Sequence, residues 1–535
     1  CQYSIETFIT FLQFCHSYIA ITGEKADLPP EKPRKGRRVG WAAAGRGRRW
    51  RPRAGFARHG DASHRRACGR PSPADPQKPT GFPYVDPPLR CLRPRRACEK
   101  AGEYGPQGVP AKPEPAAGGR RARRRRAALR ADATPTERSL SMPVAAVIAE
   151  WNPLHRGHLL PLEAARHRGA THTVAIVSGN FVQRGEPALC PWQYRVTAAL
   201  HSGVDLVLQL PLPYAVSTAE HFAAGAVQSL AALGCVDTLV FGSECGDLAA
   251  LQRVAAALES PALPAELAPR LAAGLPFAAA RQAAVHALIG QDAALLSSPN
   301  NILGIEYLRA LSRTGAGITP LTLPRQGAPH DAHAPEADYP SASFLRQQFL
   351  SGVDISPQLP PAMAGQLRLA EAQGALPDRA LWDRALLARL RTMEEPDFAA
   401  LPDISEGLEN RLYRVSRTAK SPEALLADAK TKRYSHARLR RVLLAAMLGL
   451  PAGLSAAAPP YLRVLGFTPR GAEILSAAKA TRALPLSPSL AELAQTGETA
   501  ARFAGLEARA ADLYHAFTPG LAPCGSEYTT PLLKL

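Results

Sequence analysis

The chain has 535 residues, with 64 Lys and Arg against 45 Asp and Glu and a formal net charge of +19, a balance that by itself points to a nucleic-acid binder. The charge is uneven: residues 1–141 hold 30 of the basic and 12 of the acidic residues, leaving 34 against 33 in residues 142–535. No stretch reaches the roughly 18 uninterrupted apolar residues of a membrane span, and none of the nine cysteines forms a Cys-x-x-Cys pair, so neither a zinc ribbon nor a disulfide scaffold is indicated and a reducing cytoplasm fits.

In chain order, residues 1–141 come first. They begin with Cys1, contain "GRGRRWRPR" and "GGRRARRRR", are rich in Pro and Gly, and show no sustained apolar period. Disorder is expected there. A basic arm for nucleic acid competes with translated sequence upstream of the true start; the second is favoured, because Met142 directly precedes the first clean strand pattern.

From Val144 to about Leu350, short β-rich runs ("VAAVIAE", "THTVAIVSG", "VDLVLQLP", "VDTLVFGSE", "ITPLTLPR") alternate with helical stretches. That alternation predicts a parallel sheet with crossover helices, and runs so continuously apolar imply burial on both faces. After about Gly374 the β-runs are expected to stop and a mostly helical domain, 375–535, to follow a catalytic domain, 142–374. The fold class is α/β, Rossmann-like.

The first strand end carries "NPLHRGHLLPL", residues 152–162. Ligands in open parallel sheets bind where strands end and helices begin, and a helix N-terminus offers unpaired N–H groups to phosphate. Gly157 lets backbone approach a ligand, while His155 and His158 add donors at the same place. A metal site needs further ligands, and no HExxH or Cys/His cluster accompanies this pair; Walker A and GxGxxG are absent from the turn. Phosphoryl or nucleotidyl chemistry is the expectation.

The strand followed by "NPLHRGH" resembles the His-x-Gly-His signature of the HUP-type nucleotidyltransferase superfamily. Together with "SGNFVQRGEPAL", "GVDLVLQLP", "FGSE", "SPNNILGIEYL", "SEGLENR" and "TKRYSHARLRR", it resembles the bacterial tRNA(Met) cytidine acetate ligase family over nearly everything from Met142 onward. The resemblance implies ATP-dependent activation of acetate to acetyl-adenylate, then transfer to the wobble cytidine of elongator tRNA(Met), giving N(4)-acetylcytidine.

It implies an ATP-binding set running through Ile148, Ala149, Glu150, Trp151, Asn152, Pro153, Leu154, His155, Arg156, Gly157, His158, Leu159, Leu160 and Pro161, with Gly242, Asn300 or Asn301, and Arg325. His155 and His158 are the catalytic candidates. The bland readings are a helix N-cap for the asparagines and a surface charge for the arginine. "SASFLR" resembles the helix start that such enzymes place over departing pyrophosphate, which makes Arg346 a candidate phosphate contact. Ser178, Gln183 and Arg184 are expected at the same sheet edge, and His330 and Asp331 fall in a variable segment. Trp151, Leu154 and Arg156 depart from the residues expected in relatives. Mg²⁺ is expected with ATP, without a carboxylate cage.

The RNA candidates are Lys430, Lys432, Arg433, Arg438, Arg440 and Arg441, with Tyr434 as a base-stacking side chain. A solvated helix face is their plain alternative. Competing functions are a small-molecule nucleotidyltransferase or carboxylate–amine ligase, and a non-catalytic RNA-binding protein.

Overall fold

Five apolar runs become the strands that organise the molecule: β1 (Val144–Ala149), β2 (His172–Ser178), β5 (Leu206–Leu210), β6 (Thr238–Ser243) and β7 (Thr319–Pro324). Between β2 and β5 lies a short hairpin, β3 (Phe181–Val182) with β4 (Glu186–Pro187). The computed structural model describes residues 142–325 and 339–535; the expectations for residues 1–141, His330 and Asp331 lie outside these. Among the described residues no helix is long and apolar enough to cross a membrane.

With β8 (Leu462–Phe467) and β10 (Leu533–Lys534) joining from much later in the chain, the strands pair in the order β10-β8-β5-β2-β1-β6-β7, all parallel from β5 to β7. Alternate residues of β1 enter opposite cores: Val144 and Ala146 pack with Ile176, Leu208 and Leu239, whereas Ala145 and Val147 pack with Val177, Val207 and Val240. This period of two, apolar on both sides, is why the runs read as continuously hydrophobic. From β1 the chain moves outward through β2 and β5, then returns to the other side at β6. The crevice at the carboxyl ends of β1 and β6 is therefore the topological switch point.

The helices that shape this edge, numbered among themselves, are α1 (Leu160–His167), α2 (Trp192–His201), α3 (Ala219–Leu233), α4 (Pro299–Thr314), α5 (Ala342–Leu350), α6 (His436–Leu448) and α7 (Glu498–Ala516). Thr218 caps α3 by accepting from His221 N–H, and Gly234 at φ 78° ends it.

Beyond Gly374 the chain is helical as expected, but the β-runs do not stop. β8 (Leu462–Phe467) pairs antiparallel with β5, while β9 (Leu486–Ser487) and β10 (Leu533–Lys534) flank β8. Arg463 is buried inside β8, where it donates to Gln209 Oε1 (3.0 Å) and forms an ion pair with buried Glu527, which also accepts from Trp192 Nε1–H (3.1 Å). Trp382, Leu412, Leu443 and Tyr514 from the helical region share one buried cluster with Val144 and Leu208. The change at Gly374 is one of composition and not a break in packing.

Candidate functional site

The end of β1 builds the site. Trp151, fully buried, takes φ 49°, a left-handed conformation costing an ordinary residue about 1–2 kcal/mol. It turns the chain through Asn152, whose Oδ1 accepts from Leu189 N–H at 2.7 Å. His155 then caps the short turn Arg156–His158: its Nδ1 accepts from Gly157 N–H (3.1 Å), while His158 Nδ1 accepts from His155 N–H (3.2 Å). With Nδ1 an acceptor in both rings, the proton of each neutral imidazole sits on Nε2. The rings lie 3.7 Å apart, centroid to centroid.

Gly157 is dictated by this stack. A Cβ there would stand 3.0 Å from His155 Cε1 and 3.2 Å from its Nδ1, so any side chain would displace the imidazole.

These residues face a cavity of about 300 Å³ at the switch point. Of the expected loop, Ile148, Ala149, Glu150, Trp151, Asn152, His155, Gly157, His158, Leu160 and Pro161 line it; Pro153, Leu154, Arg156 and Leu159 do not. Leu154 is core and Arg156 is exposed. Gly242 lines it from β6, and a Cβ at Gly242 would meet nothing within 4 Å; a side chain would project into open cavity.

Asn300 and Asn301 separate. Asn300 reaches the cavity, with its Nδ2 donating to Glu244 Oε1 at 2.7 Å. Asn301 is buried and its Oδ1 accepts from Cys245 N–H (3.1 Å), a structural brace. Glu244, absent from the expected set, also accepts from the backbone N–H groups of Asn300 (3.0 Å) and Asn301 (2.6 Å), capping α4 from 56 residues away. Arg325 lines the cavity at the end of β7, its backbone N–H bonded to Ser243 O (2.8 Å). Burial pushes its pKa down, Glu244 opposing and Arg184 reinforcing the shift, so an incoming anion would relieve an under-solvated cation.

Arg346 enters from α5, with Nη1 on Asn152 O (2.8 Å) and Nη2 on Glu186 Oε1 (2.7 Å). The polar segment after β2 is the β3–β4 hairpin; its Gln183 and Arg184 line the cavity, but Ser178 is buried in β2 and does not. Glu150 Oε1 accepts from Gln183 N–H at 2.6 Å, and burial pushes the carboxyl's pKa up. Arg195, another residue missed in the sequence, is wholly buried and ties the strand ends together, donating to Glu150 O (2.5 Å), Ser178 O (3.2 Å) and Gly179 O. Around the cavity, Asn152 Nδ2, Gln183 Nε2 and Ser343 Oγ are buried without a hydrogen-bond partner among the described residues. Such atoms mark places for a ligand's polar groups.

The basic cluster divides too. Lys430, Lys432, Arg433 and Arg440 are exposed. Arg438 and Arg441 both hold Asp403, at 3.4 and 2.9 Å. Tyr434, expected to stack on a base, is instead buried, with its hydroxyl donating to Glu406 O at 2.7 Å.

Residues 142–526 match the HIGH Nucleotidyl Transferase family. The chain is 41% identical over 363 residues to a tRNA(Met) cytidine acetate ligase of Syntrophotalea carbinolica, covering 66% of this chain and 86% of that one. It is 35% identical to the protein of that name from Syntrophomonas wolfei, covering 73% and 99%. The crystal structure of Thermotoga maritima TmcAL superposes with a TM-score of 0.71 at 30% identity, over 74% of this chain and all of that one. A second form of TmcAL, bound with alpha-thio ATP, gives 0.69 at the same identity and coverage. The chain belongs to the HIGH nucleotidyl transferase family, among the tRNA(Met) cytidine acetate ligases.

Proposed function

We propose that the protein activates acetate with ATP and transfers the acetyl group to the wobble cytidine of elongator tRNA(Met), giving N(4)-acetylcytidine. The observation that carries this reading is the His155–His158 stack, with both Nδ1 atoms committed to the backbone, facing a cavity that also holds Arg184, Arg325 and Arg346. Those cations outnumber the cavity's carboxylates, Glu150 and Glu186, and suit a polyanion. The alpha-thio ATP held by the Thermotoga maritima relative supports ATP as substrate.

In the first step an acetate oxygen attacks the α-phosphorus, the bond to the bridging oxygen breaks, and pyrophosphate leaves. The Nε2–H groups of His155 and His158 donate to phosphate oxygens as charge grows on them, and loss of one such donor costs about 2.7–4 kcal/mol. Asn300, Arg325 and the Ile148–Pro161 loop hold the nucleotide, Gly242 leaves room for it, and Arg346 meets the departing pyrophosphate. In the second step the cytidine amine attacks the acetyl carbon, the C–O bond to AMP breaks, and the amine gives up a proton. Activation is needed because carboxylate oxygen is a poor leaving group and AMP a good one.

Among the described residues no three metal-ligating groups converge, and Glu186 is engaged by Arg346. Mg²⁺ carried on the phosphates of ATP would neutralise part of their charge. Exposed Lys430, Lys432, Arg433 and Arg440 supply phosphate contacts to the tRNA. The test is acetate-dependent exchange of labelled pyrophosphate into ATP, followed by retention of labelled acetyl on unmodified elongator tRNA(Met); absence of both would refute the reading.

A further inference from the structure

A second cavity, of about 200 Å³, lies beside α6 and is lined by Pro213, His221, Pro402, Asp403, Arg441 and Ser455 among others. Two features join it to the ATP site. The first turn of α3 separates the cavities: Ala219 and Phe222 line the first, while Thr218 and His221 line the second. The β3–β4 hairpin is pressed onto the basic helix: Gly185, at φ 79°, comes so close that a Cβ would stand 2.4 Å from Arg440 C and 2.6 Å from Arg441 N. The residues flanking this contact, Arg184 and Glu186, line the ATP cavity, and Arg441 lines the second.

We propose that this second cavity receives an unpaired base next to the acceptor cytidine, so that one nucleotide is held in it while its neighbour is presented to the acetyl-adenylate. The inference rests on the reading given under Proposed function. Its chemistry fits an RNA base: proline rings and alanines offer apolar faces, whereas the imidazole of His221 and the hydroxyl of Ser455 offer an edge that can hydrogen-bond, and Asp403 is held in place by Arg438 and Arg441. Single-stranded RNA is recognised by splaying bases into such sites. The position fits as well: exposed Arg440 adjoins the lining residue Arg441 on α6, and exposed Lys432 and Arg433 shortly precede that helix, giving the polyanionic backbone basic groups near the cavity. Phosphate contacts select no sequence; a pocket for a neighbouring base supplies selection that the basic cluster cannot.

The experiment fills the cavity from its rim in the full chain. Ser455→Phe, with Ala452→Trp as a second variant from an exposed position, is compared with wild type in acetate-dependent pyrophosphate exchange and in acetylation of an unmodified elongator tRNA(Met) transcript. Unchanged exchange with at least a tenfold rise in KM for tRNA is expected. A transcript abasic on the flanking side of the wobble cytidine should lose the same factor with wild type and no more with Ser455→Phe. An unchanged KM in either folded variant, or an abasic transcript that behaves normally, overturns the proposal. So does a loss of exchange equal to the loss of acetylation, because the cavity would then serve the nucleotide. If wild type neither exchanges nor acetylates, the functional reading fails by itself, and the affinity of the transcript for wild type and Ser455→Phe still decides the pocket.

Discussion

Replacing Gly157 by Ala probes the histidine stack without removing either histidine. The added Cβ would lie 3.0 Å from His155 Cε1, 3.2 Å from His155 Nδ1 and 3.5 Å from Tyr339 Cβ. The imidazole must give by a few tenths of an ångström, and because it pivots near its inner edge, Nε2 on the far side moves further. Gly157 N–H still donates to Nδ1, so the donor is misaimed and not lost. The cost should fall below the 2.7–4 kcal/mol of full removal, at about 1.4–2.7 kcal/mol, a tenfold to hundredfold slower activation step. Acetate-dependent pyrophosphate exchange reads this directly, with the thermal midpoint as a control for folding. A variant that folds as wild type and exchanges at the wild-type rate would refute the placement of His155 at the reacting phosphates.

Three further outcomes follow from the geometry. Gly242→Val adds atoms to empty cavity, so its thermal midpoint should match wild type while KM for ATP rises at least tenfold; an unchanged KM would put the nucleotide elsewhere. Removing Lys432, Arg433 and Arg440 together should weaken tRNA binding across sequences and flatten its salt dependence by roughly 0.7–0.9 log units for each phosphate no longer neutralised, with pyrophosphate exchange intact; an unaltered salt slope would return the cluster to ordinary surface. Glu507, buried beside Glu527, has its pKa pushed up to about 8, mainly by burial, with Arg463 and the N–H of Leu212 pulling the other way. A carboxyl raised in the folded state stabilises fully below its unfolded pKa and loses that contribution as pH rises through 8. At about 1.4 kcal/mol per pKa unit, stability should fall by on the order of 4–5 kcal/mol between pH 4.5 and 8. Glu507→Gln should flatten that fall, and denaturant midpoints that track wild type across the range would contradict it.

What the sequence displayed was local. The five parallel strands were legible because burial on both faces leaves uninterrupted apolar runs. β8 escaped because Arg463 and Gly466 break its run, and the tertiary partners Glu527 and Gln209 make an arginine tolerable there; β9 and β10 are two residues each, too short to carry a pattern. The His-x-Gly-His turn was legible because its capping bonds span two or three residues. Glu244, Arg195 and Arg346 reach their partners across 56, 45 and 194 residues, and no local spacing announces such pairings. Asn300 and Asn301 have identical chemistry in sequence and diverge only by which side of α4 faces the cavity. Tyr434 looked available for a base because nothing nearby reveals that Glu406 O would take its hydroxyl.

If the His-x-Gly-His turn activates acetate for transfer to tRNA, one measured quantity decides it: the label retained on unmodified elongator tRNA(Met) after incubation with ATP and labelled acetate. The full chain and its His158→Ala variant should differ in that quantity, with label that requires ATP in the wild type and is reduced at least hundredfold in the variant. Label that persists in the variant, or none with a folded wild-type chain that binds ATP, would contradict it.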